Sequence, residues 1–160
     1  MKKYLILLLL TSIVGLSSCL KEQADPFELA KIQLAKDEEI IKKFIADNNI
    51  PALRHESGLY YQVIKPGSGN VIFSKTTKVT VNYKGAFLDS KIFDQTKVNE
   101  PVSFNLGGVI DGWQIGVPLI QKGGKIRLIV PSGYAYGANA RQSIPANSIL
   151  DFEIELIDAQ

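Results

Sequence analysis

The stretch that decides the fold is Val79-Thr-Val-Asn-Tyr-Lys-Gly85, in which apolar and polar residues alternate one by one. A period of two puts the apolar side chains on one face of a strand and the polar side chains on the other. The stretch from Leu150 to Leu156 alternates in the same way and carries acidic residues at its polar positions. Both stretches are therefore predicted to be half-buried strands.

Other stretches have a similar strand-like character, namely Leu59 to Ile64, Val102 to Leu106 and Ile126 to Val130. Clusters of glycine and proline separate them, as in chains that reverse direction between strands. Together these stretches predict an antiparallel sheet. The pattern alone is also compatible with a β-sandwich.

One segment between the strands has helical rather than strand periodicity. Its apolar residues are Ile110, Trp113, Val117 and Ile120, and Pro118 limits the length of a helix there. This spacing predicts one short amphipathic helix that covers the apolar face of the sheet.

The segment before the strands, residues 21–49, is charged and is predicted to be helical. Asp25-Pro26 supplies an N-cap and a first-turn proline, and Asn48-Asn-Ile-Pro51 ends the segment. An apolar stripe runs through Leu34, Ile40, Ile41, Phe44 and Ile45. Because Asp37-Glu-Glu39 interrupts this stripe, it is compatible with one helix or with two shorter ones. The helical segment either packs on its own domain or supplies a dimer face, and otherwise the chain is a monomer.

Residues 1–18 are interpreted as an export signal, because Lys2-Lys3 precedes the apolar run from Leu5 to Leu10. The apolar region is shorter than the roughly 20 residues that a membrane-spanning helix requires. Leu16-Ser-Ser-Cys19 is similar to a bacterial lipobox, which implies cleavage before Cys19 and acyl chains on it. The alternative is an ordinary cysteine after an export signal. The predicted parts are the signal over 1–18, a lipidated N-terminus and helical spacer over 19–50, and a domain over 51–160.

Composition excludes several classes of function. Removing Lys2 and Lys3 from the 18 basic residues leaves 16, which equals the 16 acidic residues. Such a balance does not indicate the basic face of a nucleic-acid-binding protein. With Cys19 and His55 as the only cysteine and histidine, the sequence predicts no internal disulfide, no zinc site and no Ser-His-acid hydrolase. No metal or cofactor is expected.

Four motifs occur together in a known family. Val79 to Gly85, Phe93-Asp94, Val109-Ile-Asp-Gly-Trp113 and Tyr134-Ala-Tyr-Gly137 resemble, in order and spacing, the FK506-binding-protein type of peptidyl-prolyl cis-trans isomerase. The resemblance implies an α+β fold, in which a twisted antiparallel sheet curls around one short helix, here with an N-terminal helical extension. It also implies catalysed rotation about the bond before proline. The expected ligands are proline-containing polypeptides and macrolides such as FK506 or rapamycin.

The resemblance also implies a site. Trp113 would form its floor, and the backbone N–H of Ile110 and the hydroxyl of Tyr136 would hold peptide carbonyl oxygens. Asp94 would lie beside the rotating amide, either acting on it directly or ordering neighbouring groups. The remaining pocket positions are Tyr83, Phe93, Val109, Ile144 and Phe152. Phe104 is expected to be an ordinary core residue.

The sequence departs from the family pattern at several positions. Val102 stands where many members carry a pocket phenylalanine, which should widen the pocket. Val98-Asn99 stands where an arginine often pairs with the aspartate, so Lys97 becomes the candidate partner of Asp94. The loop from Ala138 to Asn147, which overhangs the site in the family, is slightly shortened.

The expected function is therefore an isomerase that assists folding of exported proteins, held in the bacterial cell envelope by lipidated Cys19. Leu20 is not the aspartate associated with inner-membrane retention, so the resemblance favours the outer membrane. The alternative is a non-catalytic chaperone or peptide-binding module, which Val98 and Val102 keep open.

Overall fold

The alternating stretches form one antiparallel sheet in the computed structural model of the chain, which describes residues 25–160. In chain order, the helices and strands are α1 (Pro26–Asp47), β1 (Leu53–Arg54), β2 (Tyr60–Lys65), β3 (Lys78–Phe87), β4 (Ile92–Gln95), β5 (Val102–Asn105), α2 (Asp111–Gly116), β6 (Lys125–Val130) and β7 (Leu150–Ala159). Short 3-10 turns span Leu106–Gly108, Val117–Leu119 and Ser132–Tyr134. The predicted signal over 1–18 and Cys19 lie outside the described residues.

Strand β7 lies inside the sheet, whose order is β1-β2-β6-β7-β3-β4. Strand β3 pairs with β7 over nearly its whole length, from Val79 opposite Ala159 to Phe87 opposite Leu150. On its other edge, β3 pairs first with β5 and then with β4. The described strands form a single sheet, which excludes the β-sandwich alternative. The predicted α+β fold with one short covering helix and an N-terminal helix is confirmed.

Helix α2 lies very close to β6 because two of its residues are glycines. A Cβ atom on Gly112 would come within 2.5 Å of a Val130 methyl group, and one on Gly116 within 2.5 Å of both Leu128 methyl groups. Protein interiors are packed too densely to absorb such contacts without movement. The close approach buries Trp113, which is 4% exposed, between the helix and the sheet.

The face of the sheet beneath α2 encloses the main core. Its fully buried members include Val79, Val81, Leu128, Ile154 and Leu156. These residues occupy alternate positions along β3, β6 and β7, as the period of two predicts. The alternation therefore sets which side of the sheet carries the covering helix.

Helix α1 is one continuous helix of 22 residues rather than two shorter ones. The Oδ1 atom of Asp25 accepts a 2.9 Å hydrogen bond from the backbone N–H of Phe27, as an N-cap residue does. The acidic interruption of the apolar stripe does not break the helix, because Asp37 is buried and accepts hydrogen bonds from Ser132.

Helix α1 packs on the outer face of the sheet. Ile129 alternates along β6 with Leu128 and Val130, which belong to the main core, so the side chain of Ile129 points outward. Fully buried Ile41 of α1 packs in a second apolar cluster with Ile50, Tyr60, Ile129 and Ile149. The helix therefore packs on its own domain, and a dimer through α1 stays a prediction. No helix within residues 25–160 is both long and apolar enough to cross a bilayer.

Candidate functional site

A cavity of about 270 Å³ opens between α2, the sheet and the chain that follows β6. Its lining residues are Tyr83, Phe93, Asp94, Phe104, Gly108, Val109, Ile110, Trp113, Tyr136 and Phe152. Every pocket residue implied by the family resemblance is in this set except Ile144. The lining residues come from positions 83 to 152 of the sequence, a span of seventy residues. The fold thus gathers distant parts of the chain into one cavity.

Ile144 lies in a second cleft, which adjoins the cavity and has a volume of about 480 Å³. The two share Phe93, Asp94 and Tyr136, and the other lining residues of the cleft are Arg141, Gln142 and Ser143. The guanidinium carbon of Arg141 lies 6.0 Å from the centre of the Tyr136 ring. The loop over 138–147 therefore forms a polar border to the apolar cavity.

Aromatic rings hold each other in place around Trp113. Tyr83 lies 5.2 Å from it at an angle of 81°, and Phe152 lies 5.4 Å from it at 87°. Phe93 in turn meets Phe152 edge to face at 5.6 Å. Each such pair contributes about 0.5–1.5 kcal/mol beyond simple burial of its area. The walls of the cavity are therefore formed before a ligand enters.

Gly85 makes this arrangement possible at one wall. A Cβ atom there would come within 2.7 Å of the Phe93 ring and 2.8 Å of the Phe152 ring. These distances are shorter than any ordinary carbon contact, so a side chain at this position would displace the two rings. The glycine that ends the opening stretch of the sequence thus has a direct role in the shape of the cavity.

Two positions on β5 bear on the shape of the cavity. Phe104, expected to be an ordinary core residue, lines the cavity and packs 6.1 Å from Trp113, so that prediction is wrong. Val102 packs against the main core and is not among the lining residues, and a pocket widened by its small size stays a prediction. The two residues lie two apart on one face of a strand, and this spacing could have placed Phe104 beside the site.

Asp94 has a partner that the sequence did not reveal. The hydroxyl of Tyr83 donates a hydrogen bond to Oδ2 of Asp94. Burial raises the pKa of Tyr83, and the Asp94 carboxylate raises it further, because both disfavour a phenolate. Tyr83 therefore keeps its proton at neutral pH. The predicted partner Lys97 instead has its Nζ 3.5 Å from Oε2 of Glu100, so that prediction is wrong.

The cavity also presents two free hydrogen-bond donors. The carbonyl of Ile110 accepts the N–H groups of Trp113 and Gln114, whereas its own N–H donates no hydrogen bond within residues 25–160. The hydroxyl of half-buried Tyr136 likewise has no partner in that part of the chain. Both groups are available to carbonyl oxygens of a bound peptide. No cluster of three or more potential metal-ligating side chains occurs among the described residues.

A comparison with family models agrees with the geometry of the cavity. The model described as FKBP-type peptidyl-prolyl cis-trans isomerase matches residues 69–157. This match takes in every residue of the cavity lining. The chain belongs to the FKBP-type peptidyl-prolyl cis-trans isomerase family.

Individual relatives carry the name FkpA. The FkpA protein of Escherichia coli K12 is 42% identical over 127 residues, which cover 79% of this chain and 46% of the relative. The FkpA protein of Buchnera aphidicola from Schizaphis graminum is 41% identical over 138 residues, which cover 81% of this chain and 54% of the relative. The chain spans about half the length of these relatives.

Solved structures show the same fold. The crystal structure of FkpA from Escherichia coli matches with a TM-score of 0.71 at 40% identity, over 84% of this chain and 62% of that one. A peptidyl-prolyl cis-trans isomerase from Pseudomonas syringae matches with a TM-score of 0.66 at 33% identity, over 85% of this chain and 97% of that one. The second match extends over almost all of a solved chain.

Proposed function

We propose that this protein catalyses cis-trans isomerisation of the peptide bond before proline in polypeptides. The observation that carries the proposal is a preformed aromatic cavity with two unpaired donors, the N–H of Ile110 and the hydroxyl of Tyr136. A prolyl ring suits the apolar interior, and the carbonyl oxygens beside it suit the donors. The family to which the chain belongs supports the same activity.

The physical task is rotation about a planar amide. Resonance keeps the bond planar and gives a barrier of about 18–20 kcal/mol. Twisting the bond removes this resonance and reduces the charge separation across its carbon, oxygen and nitrogen atoms. An apolar cavity therefore favours the twisted amide over the planar one, and it lowers the barrier by binding the transition state more strongly.

The side chains have separate tasks in this scheme. Trp113 forms the floor under the prolyl ring, and Ile110 and Tyr136 fix the peptide carbonyls. Asp94 holds the hydroxyl of Tyr83, which keeps the Tyr83 ring against the floor. No covalent intermediate, metal or nucleotide is required, because only a rotation takes place.

The first test is an exchange assay on the purified chain without its first 18 residues. We expect it to accelerate cis-to-trans exchange in a proline tetrapeptide and to lose this activity when FK506 or rapamycin is added. These ligands are larger than a prolyl ring, so we expect them to cover the adjoining cleft as well. The control is a Trp113→Leu variant, which lacks the indole ring that forms the floor of the cavity. Circular dichroism verifies that this variant is folded.

The same assay distinguishes the alternative function from the isomerase. A chain that binds FK506 or rapamycin but leaves the exchange rate at background would be a non-catalytic peptide-binding or chaperone module. A chain that neither binds the ligands nor changes the rate would contradict the proposed isomerase.

The proposal includes a location in the bacterial cell envelope. The chain is exported, carries lipid on Cys19 and assists folding of exported proteins from the outer membrane, facing the periplasm or the cell surface. Only residues 20–24 separate Cys19 from the N-cap of α1. Fully extended, five residues reach less than about 20 Å. The tether would therefore keep the start of α1 close to the lipid surface.

Replacing Cys19 by alanine is expected to move the protein from the membrane fraction to the soluble fraction. Lipidation needs the thiol, and several acyl chains together supply the stable anchor that a single chain does not. The measurement is detergent phase partitioning of cell extracts, with a Ser18→Ala variant as the matched control. Membrane partitioning that persists in the Cys19→Ala variant would show that the anchor lies elsewhere.

A further inference from the structure

A buried carboxylate on helix α1 lies outside the cavity. Asp37 is 1% exposed, and its Oδ2 atom accepts hydrogen bonds from both the N–H and the hydroxyl of Ser132, at 2.7 and 2.6 Å. Its Oδ1 atom accepts a third bond of 2.7 Å from the side chain of Gln33. Burial of a carboxylate is costly unless such bonds compensate it. The two donors of Ser132 therefore fix it to Asp37, and Gln33 satisfies the other carboxylate oxygen.

Ser132 is also the base of the turn that carries Tyr136. Its carbonyl oxygen accepts the N–H of Ala135 at 3.0 Å and the N–H of Gly137 at 2.8 Å. These two amides flank Tyr136 directly in the sequence. One fully buried residue thus connects the helix on the outer face of the sheet to the backbone on both sides of a cavity donor.

We propose that Asp37 is a positioning residue for the hydroxyl of Tyr136, and that helix α1 is part of the support of the site. The inference rests on the proposed isomerase function. Apolar contacts such as those of Ile41 already hold helix α1 on the sheet. The Asp37 carboxylate in addition fixes the position of Ser132 relative to the helix, because charge-assisted hydrogen bonds are short and geometrically specific. A site needs such outer support to hold its donors in place.

The central test uses Asp37→Leu, which removes both carboxylate oxygens and puts an apolar side chain in their place. We expect kcat/KM for a prolyl tetrapeptide to fall about tenfold, since misplacement of a binding group by 1 Å can cost about 100-fold. Asp37→Asn keeps an oxygen acceptor and is expected to stay within about threefold of the unaltered chain. The matched control is Glu39→Leu, which removes a negative charge from an exposed position of the same helix.

A double-variant cycle separates positioning from general loss of structure. In a Tyr136→Phe background, no hydroxyl remains to be positioned, so Asp37→Leu is expected to change kcat/KM less than about twofold. Equal losses in both backgrounds would overturn the proposal. Should Asp37→Leu fail to fold, Ser132→Ala removes one of the two donors more gently and enters the same cycle.

A readout independent of catalysis completes the test. Amide chemical shifts of Ala135 and Gly137 are expected to move in Asp37→Leu and to keep their positions in Glu39→Leu. Shifts confined to α1 and Ser132 would overturn the role of Asp37 even if the chain proved to be a non-catalytic module. A chain without isomerase activity but with displaced Ala135 and Gly137 amides would refute the proposed function alone and leave the positioning of Tyr136 supported.

Discussion

Replacing Asp94 by leucine is expected to lower kcat/KM for a prolyl tetrapeptide by about 10- to 100-fold while the domain stays folded. The side chain is exposed at the mouth of the cavity, so its loss removes no core contact. Leucine would remove the acceptor for the Tyr83 hydroxyl and the charge beside the bound amide. The measurement is the exchange assay, with thermal unfolding to verify that stability is retained.

Two further variants divide the effect of Asp94 into its parts. Asp94→Asn keeps an acceptor of the same shape but no charge. Tyr83→Phe removes the donor, while its ring stays packed against Phe104 and Trp113. We expect Tyr83→Phe to lose less activity than Asp94→Leu, because it removes the hydrogen bond but leaves the Asp94 carboxylate at the mouth of the cavity. Full activity in Asp94→Leu would contradict the assignment of this carboxylate to the site.

A large effect on stability is expected at Gly116, where α2 meets β6. Replacement by valine is expected to reduce the free energy of unfolding by about 2–3 kcal/mol, because the new side chain would overlap both Leu128 methyl groups. Where no such contact occurs, replacing a helical glycine by alanine raises the free energy of unfolding by up to about 1 kcal/mol. Any destabilisation by Gly116→Ala would therefore report the clash itself. The measurement is denaturant-induced unfolding.

The compensating change is on the facing strand. Leu128→Ala alone is expected to cost about 2–5 kcal/mol through the cavity that it creates. Combined with Gly116→Val, it should cost clearly less than the sum of the two, because the valine would enter that cavity. Gly133→Ala is the control, since a Cβ atom there meets nothing within 4 Å. Strict additivity would show that α2 does not approach β6 as described.

The spacing of apolar residues along the sequence predicted those strands and helices whose buried face is set by their own residues. The alternation from Val79 to Gly85 identified a strand and its buried face, and the spacing around Trp113 identified the covering helix. Strand β4 was not predicted as a strand although Phe93-Asp94 lies on it. Four residues are too short for a periodic signal, and β4 exists because β3 supplies its hydrogen bonds.

Polar partners could not be predicted, because they come from distant parts of the chain. Asp37 looked like an interruption of an apolar stripe, yet Ser132 makes it a buried acceptor. Asp94 was paired with Lys97 by nearness in sequence, whereas the structure pairs it with Tyr83. Hydrogen bonds of this kind depend on the tertiary arrangement, which a reading of one segment at a time does not contain.

The position of β7 has a consequence for how the protein is made. This strand, over residues 150–159, joins β6 on one side to β3 on the other, and no other strand within residues 25–160 connects those two. A nascent chain that has emerged only as far as residue 149 holds two separate strand groups with nothing between them. Pairings over such long sequence separations form slowly. Assembly of the sheet is therefore expected to wait for residues 150–159 and then to proceed as one cooperative event.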